Sequence, residues 1–204
     1  MCTLFSNALT LSAVEAFFAA MTDALHSPAL PNPAFAPDSD IPVLLGRDTP
    51  RALPARRWGW RTRDGGRLAN ARSETAGDKP FFARHADSRR CAVPADSFFE
   101  FRRANRALPP WRFSLRSAPL FGLAGFLNDD GEVVLLTTEP NARVKPVHNR
   151  MPVILPAAGL TDWLDPCLPF RSLPTALFEP WPAADTVARA PASDAPPLVQ
   201  TELF

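Results

Sequence analysis

Hydrophobic residues recur at helical spacing close to the start of the chain. Steps of three or four residues, as on one face of an α-helix, separate the following: Val14, Phe17, Phe18, Met21 and Leu25. Ser12 and Glu15 have the spacing of a capping box at the start of such a helix. We therefore predict a helix from about Ser12 to about His26. The proline-rich residues 27–42 follow and predict an irregular or extended connector.

From residue 43 onward the pattern changes to short apolar runs separated by turn signals, which predicts β-strands. The predicted strands are 43–45, 91–93, 98–101, 111–115, 120–126, 133–137 and 151–155. Asp129, Asp130 and Gly131 predict a hairpin turn between two of them. Short helices are expected over 80–86, where Pro80 suits the first turn, and over 157–164. Mixed elements of this kind predict an α+β fold of mostly antiparallel short strands, as a curved sheet or barrel-like core with flanking helices.

Length and composition are typical of one globular unit. The chain has 204 residues, of which 46% are hydrophobic and 21% charged, so we expect a single domain over 1–204 with a tail from about 183 that is loosely ordered. No apolar run is long enough to predict a membrane span, and no secretory leader is expected. Three dispersed cysteines argue against a disulfide framework. We expect a cytoplasmic protein.

Charge is distributed unevenly along the chain. Residues 47–116 hold 16 arginines and one lysine against seven acidic residues, so this stretch carries +10 while the whole chain carries +1. Arginine-rich surfaces suit contacts with DNA phosphates. A solvated basic face without any partner is the alternative, and the charge pattern alone does not decide between them.

Cys2 differs chemically from an internal cysteine because it directly follows Met1. If Met1 is removed, one residue carries both an α-amine, with a reference pKa of about 7.7–8.0, and a thiol, with a reference pKa of about 8.5. Such a 1,2-aminothiol can condense with an aldehyde into a five-membered thiazolidine ring. The alternative is that Cys2 has no function beyond following the start codon.

Three polar residues in otherwise apolar surroundings are candidates for assisting such a nucleophile. Asn70 precedes a probable helix, Glu100 lies in a strand among phenylalanines, and His148 precedes an apolar strand. Each has a structural alternative, because Asn70 could cap a helix, Glu100 could face solvent and His148 could be a satisfied core residue. Together with Cys2, however, they supply the acid, base and orienting groups that nucleophilic catalysis needs.

These residues lie within motifs whose order and spacing resemble those of the SRAP family, the SOS-response-associated peptidase-like proteins that attach covalently to abasic sites in single-stranded DNA. The resemblance covers roughly residues 1–164. Its motifs are Met1-Cys2, residues 70–76, residues 91–96 leading into 98–100, and residues 137–138, 141 and 148–152.

The resemblance implies a role for each candidate residue. Cys2 would be the nucleophile after removal of Met1, and Asn70 would hold the N-terminal amine. Glu100 would act as general acid and base, and His148 would assist sugar-ring opening and imine formation.

The resemblance also implies a DNA-binding surface. Arg72 and Arg150 would bind phosphates, and we add Trp58 and Trp60 to this surface. The family's usual Gly-Arg-Phe after the cysteine is here Thr3-Leu4-Phe5, which loses one basic residue.

The leading hypothesis is therefore a DNA-damage-response protein that forms a thiazolidine crosslink with abasic sites. A cysteine autopeptidase using Cys2 and His148 is an alternative, since the family is also described as a peptidase, and a lyase activity would fit the same imine chemistry. A non-catalytic single-stranded DNA-binding paralogue is a third. We expect a monomer whose partner is single-stranded DNA with abasic sites, without a membrane partner, and which joins the nucleoid when it is bound to DNA. No cofactor and no metal are expected, because the Cys and His residues lack ligand-like spacing.

Overall fold

Short strands and short helices alternate along the chain in a computed structural model that describes residues 4–22, 29–102 and 108–190. The helices are α1 (Leu11–Phe18), α2 (Ser73–Ala76), α3 (Pro80–Ala86) and α4 (Leu160–Leu164), with 3-10 turns at Ala157–Gly159, Phe170–Ser172 and Thr175–Leu177. The strands of the first half are β1 (Leu4–Asn7), β2 (Ala20–Met21), β3 (Asn32–Phe35), β4 (Asp40–Pro42), β5 (Arg51–Ala52), β6 (Ala55–Arg57), β7 (Trp60–Arg61), β8 (Arg67–Leu68) and β9 (Asn70–Arg72). Those of the second half are β10 (Arg90–Ala95), β11 (Ser97–Glu100), β12 (Trp111–Leu115), β13 (Phe121–Leu127), β14 (Val133–Thr138), β15 (Met151–Pro152), β16 (Ile154–Leu155) and β17 (Thr186–Arg189).

Two larger sheets organise the molecule. The first has the strand order β17-β12-β11-β1-β3, and the second has the order β10-β13-β14-β15, with β16 beside β13 and β9 beside β14. Nearly all neighbouring strands are antiparallel, whereas β9 runs parallel to β14. The α+β prediction is therefore confirmed, and within the described ranges the sheets do not close into a barrel.

The second sheet is buried on both faces, and its side-chain alternation separates two hydrophobic cores. In β14, Val133 and Leu135 pack with Phe5 and Phe98 of the first sheet. Their neighbours Val134 and Leu136 face the opposite core. That core also receives apolar side chains from all four helices, among them Val14, Ala76, Phe82 and Trp163. Because successive side chains of a strand point to opposite faces, a continuous apolar run such as 133–136 fits a strand covered on both sides.

Helix α1 is shorter than the sequence predicts. It begins after Thr10, whose Oγ1 accepts a hydrogen bond from the Ala13 N–H, and it ends at Ala19, which has left-handed backbone angles (φ 46°, ψ 55°). Instead of completing a capping box, Glu15 accepts hydrogen bonds from both the backbone N–H and the hydroxyl of Thr22. The predicted start at about Ser12 is within one residue of the observed start, but the capping box is wrong, and so is the extension past Phe18, because the chain turns into β2. The predicted end near His26 lies outside the described residues.

Other predicted elements are found close to their expected bounds. Helix α3 begins at Pro80, strand β12 covers 111–115, and the turn at 129–131 joins β13 to β14 with Gly131 at φ 76°. The connector over 27–42 contains β3 and β4 among its described residues, so it is more regular than predicted. Strand β17 pairs with β12, so the first part of the C-terminal tail is ordered. No helix in the described part of the chain is long and apolar enough to cross a membrane.

Candidate functional site

Glu100 is buried at the end of β11, an inner strand of the first sheet. Every residue of β11 is buried, and the Glu100 side chain is only 2% exposed. On one side Glu100 lies opposite Trp111 of β12, and on the other side its neighbour Phe99 lies opposite Leu4 of β1. The first described residue of the chain is thereby held beside the strand end that carries Glu100.

His148 is positioned by a compact turn that precedes β15. Asn141 anchors this turn, because its Oδ1 accepts hydrogen bonds from the N–H groups of Arg143 and Val144. Its Nδ2 donates to the Trp181 carbonyl and to Thr186 Oγ1, which ties the turn to the chain around β17. Val144 and Val147 are buried in the core between the sheets. The turn is therefore fixed both by hydrogen bonds and by packing, and so is the backbone of His148.

The structure brings Glu100 and His148 together. Glu100 Oε2 lies 3.7 Å from His148 Nδ1, and the imidazole is 9% exposed. Nδ1 also lies 3.2 Å from the Arg150 N–H, which can donate to it, and 3.3 Å from the Arg150 carbonyl oxygen. Nδ1 therefore has both a donor and an acceptor within reach. A small decrease in its distance from Glu100 Oε2 would also form a hydrogen bond to that carboxylate. A carboxylate and an imidazole in this arrangement can exchange a proton.

Asn70 is buried at the start of β9 on the second sheet. It lies opposite Leu135 of β14, and the Trp58 indole N–H donates to the carbonyl of the preceding residue, Ala69, at 2.9 Å. Asn70 as a whole residue is 6% exposed. As the first residue of a strand, Asn70 does not cap a helix.

Arg150 and Arg72 lie on either side of Thr137. Arg72 lies opposite Thr137 in β14 and is exposed, whereas Arg150 Nη2 donates to the Thr137 carbonyl oxygen at 2.5 Å. Arg150 also binds Glu74 through two parallel hydrogen bonds of 2.7 and 2.8 Å. Partial burial acts to raise the pKa of Glu74, but the hydrogen bond and charge of Arg150, with the charge of Arg72, together hold that pKa below its usual value. The two arginines implied to bind phosphate therefore act on one carboxylate.

Trp58 and Trp60 occupy interior positions. They are 0% and 1% exposed, with Trp58 against Phe5 and Trp60 against Phe81 and Phe82. The structure presents neither indole ring to a DNA strand, because each fills space in one of the two cores. Their assignment to the DNA-binding surface is therefore corrected to a packing role.

Much of the arginine-rich stretch is neutralised by acidic residues from elsewhere in the chain. Ion pairs join Arg47 to Asp165, Arg57 to Asp40, Arg67 to Glu132, and both Arg84 and Arg89 to Asp129. Arg90 is buried and donates to the carbonyls of Trp163, Ala86, Asp165 and Leu168. Segregation of charge along the sequence therefore does not produce an equally segregated surface.

The cysteines have different environments. Cys2 lies outside the described residues. Cys91 is fully buried, and burial raises the pKa of its thiol, so this thiol stays protonated and is a poor nucleophile. Cys167 is exposed.

The motifs of the family resemblance also contain Glu74, Thr137 and Asn141. The sequence alone assigned no role to these three residues. Asn141 anchors the His148 turn, while Glu74 and Thr137 hold Arg150. Glu74 is two residues from Arg72 but 76 residues from Arg150. Only its place in the motif signals a role, because the pairing is long-range.

Comparison with known proteins gives consistent results. The chain is 30% identical to the abasic site processing protein YoqW of Bacillus subtilis over 81% of this chain and 84% of that protein. It is 36% identical to the abasic site processing protein YoaM of the same organism, over 64% of each chain.

Solved structures share the fold. A protein from Bacteroides thetaiotaomicron matches with a TM-score of 0.77 and 22% identity, over 95% of this chain and 93% of that one. A protein from Bordetella bronchiseptica matches with a TM-score of 0.74 and 25% identity, over 94% of this chain and 100% of that one. Residues 1–194 match the family described as SOS response associated peptidase (SRAP), and this chain therefore belongs to the SRAP family.

Proposed function

We propose that this protein acts on abasic sites in single-stranded DNA and attaches to them covalently through Cys2. The names of its relatives, abasic site processing proteins, support the substrate class. An abasic site in its ring-opened form carries an aldehyde, the electrophile with which a 1,2-aminothiol forms a stable ring. The aldehyde of an abasic site, the substrate in the names of the relatives, is therefore a suitable electrophile for the amine and thiol of Cys2.

The observation that carries the proposal is the buried Glu100–His148 pair next to the strand that follows Cys2. Leu4 lies opposite Phe99, and Phe99 directly precedes Glu100. Cys2 comes two residues before Leu4 in the chain, and two residues of extended chain span at most about 7 Å. A thiol and amine within that reach of Leu4 suit proton transfer to and from Glu100.

The proposed reaction has two bond-forming steps. The α-amine of Cys2 adds to the aldehyde carbon to give a carbinolamine, which loses its hydroxyl as water to leave an imine. The thiolate then adds to the imine carbon, and the nitrogen takes up a proton, which closes the thiazolidine. One C–N bond and one C–S bond form, and one water molecule is released.

Glu100 and His148 would move the protons that these steps require. One group must take a proton from the amine or thiol, and one must give a proton to the departing hydroxyl. A buried carboxylate and imidazole that lie 3.7 Å apart can carry out both transfers in turn. Asn70, buried on the adjacent sheet, would orient the amine as the family resemblance implies.

DNA would bind as a single strand, because a stacked duplex conceals the aldehyde from a protein pocket. Arg72 and Arg150, which both lie beside Thr137, would contact the phosphates. Binding of this kind depends on salt and does not depend on base sequence.

The test is incubation with a single-stranded oligonucleotide that carries one abasic site, followed by denaturing electrophoresis. We expect a stable crosslinked band with the wild-type protein, none with Cys2→Ala, and a wild-type yield with the matched control Cys167→Ala. Intact mass spectrometry of the same preparation should show a protein without Met1. A crosslink in Cys2→Ala equal to that of the wild type, or efficient crosslinking by protein that retains Met1, would contradict the proposal.

A further inference from the structure

Glu74 occupies the guanidinium fork of Arg150. Its two carboxylate oxygens accept from Arg150 Nη1 at 2.7 Å and from Nη2 at 2.8 Å. The Arg150 side chain is 12% exposed, whereas the Glu74 side chain is 44% exposed. The acceptor thus lies on the solvent side of the cation, where an anion from solution would arrive.

A second cation acts on the same carboxylate. The charge of Arg72 helps to hold Glu74 in its ionised form. Both arginines are tied to one position of β14, since Arg72 lies opposite Thr137 and Arg150 donates to the Thr137 carbonyl oxygen. An anion therefore already resides at the arginine pair that the family resemblance implies for phosphate.

Carboxylates and phosphates bind arginine in the same way, by two parallel hydrogen bonds to the planar fork. The two Arg150 N–H groups that bind Glu74 cannot at the same time form two full hydrogen bonds to a phosphate. We propose that Glu74 holds the place of a DNA phosphate on Arg150 in the free protein, and that its carboxylate leaves the fork when single-stranded DNA binds.

The inference rests on the proposed function and adds to it a residue that weakens DNA binding. In the free protein Glu74 keeps the Arg150 side chain oriented and its charge compensated. When DNA binds, part of the phosphate–arginine interaction is offset by the loss of this ion pair. Glu74 thereby lowers the affinity for any single strand and reduces the number of counterions that binding displaces.

The test compares Glu74→Gln with wild type in binding to an undamaged fluorescent single-stranded oligonucleotide, by anisotropy at several salt concentrations. Glutamine keeps the size of the side chain but removes the charge that competes for the fork. We expect the affinity to rise by roughly two- to fivefold, because a partly exposed ion pair contributes a free energy of about this size. The plot of log K against log salt should become steeper by up to about 0.7, one phosphate contact on a single strand.

Asp78→Asn is the matched control. Asp78 pairs with Arg171 on the surface, with side chains 63% and 72% exposed, so the substitution changes the net charge by the same amount without touching Arg150. Its affinity and salt dependence should stay close to those of the wild type. Circular dichroism melts should show that both variants are folded.

The outcomes separate this inference from the proposed function. If wild type binds single-stranded DNA but Glu74→Gln binds equally or more weakly, Glu74 only positions Arg150 and the inference is overturned. An equal gain in both variants would also overturn it, since a general charge effect would then explain the result. If wild type binds no single-stranded DNA at any salt concentration, the proposed function fails and this inference with it.

Discussion

His148 and Arg150 are two residues apart, yet each lies beside a glutamate in a different environment. Glu100, beside His148, is 2% exposed and lies 3.7 Å from an imidazole nitrogen, which can donate or accept a proton. Glu74, beside Arg150, is 44% exposed and makes two short hydrogen bonds to the guanidinium group. The first pair is buried and able to exchange protons, whereas the second is an ion pair that is open to solvent.

We propose that this difference allows one short segment to serve two purposes. Proton transfer needs two titratable groups in a dry site, where small movements change which group holds the proton. Anion recognition needs a fixed positive charge that solvent-borne ligands can reach. In this protein the turn anchored by Asn141 carries His148, and Arg150 directly precedes β15, so we propose that the two purposes are divided between these residues.

The largest expected effect is on the buried pair. Glu100→Gln keeps the shape of the side chain but removes its titratable group, so crosslinking to an abasic oligonucleotide should slow by about 10²–10⁴-fold. Affinity for undamaged single-stranded DNA should stay unchanged, because Glu100 has no proposed phosphate contact. The measurements are a crosslinking time course and anisotropy on the same preparations. If Glu100→Gln reacts at the wild-type rate, Glu100 is only a buried strand residue.

His148 should act in the same unit as Glu100. His148→Gln alone should also slow crosslinking by roughly 100-fold or more. The double variant Glu100→Gln/His148→Gln should be no more than about tenfold slower than the slower single variant, because groups that act together give non-additive losses. Fully multiplicative losses in the time courses would show that the two residues act independently.

Arg72 should affect binding more than rate. Arg72→Ala removes an exposed positive charge, so affinity for single strands of every sequence should fall by a similar factor, roughly fivefold. The salt slope should become shallower by about 0.7. Anisotropy with three oligonucleotides of different sequence measures both quantities, and Arg171→Ala is the matched control on the exposed surface. A loss confined to one sequence would indicate base contacts instead of phosphate contacts.

The smallest effect concerns the stability that the open pair contributes. The pKa of Glu74 is lower in the folded protein than its usual value of 4.5, so the contribution is fully present above that value and is lost as pH falls through the folded pKa. At pH 7 the free energy of unfolding of the wild type should exceed that of Glu74→Gln by at most about 1 kcal/mol, because the ion pair is partly exposed. Unfolding melts between pH 7 and pH 3 should show the two proteins converging. A constant difference over this range would mean that the ion pair contributes nothing.

Local patterns were sufficient to predict much of the secondary structure. The runs at 111–115 and 133–137 and the proline at position 80 specify their elements through side-chain preference and φ restriction, which act within a few residues. Helix α1 was predicted too long, because the apolar spacing continues past Phe18. The left-handed Ala19 and the pairing of β2 with β5 depend on a strand some 30 residues away.

The sequence by itself determined the family's motifs and the candidate residues Asn70, Glu100 and His148. Tertiary structure alone decided that Glu100 meets His148, that Glu74 meets Arg150 and that Trp58 and Trp60 are buried. It also paired five arginines of residues 47–116 with acids from other segments, namely Arg47, Arg57, Arg67, Arg84 and Arg89. The physical reason is that hydrophobic periodicity acts locally, whereas ion pairs and burial depend on which strands become neighbours. The charges and spacings along the sequence do not show which strands become neighbours.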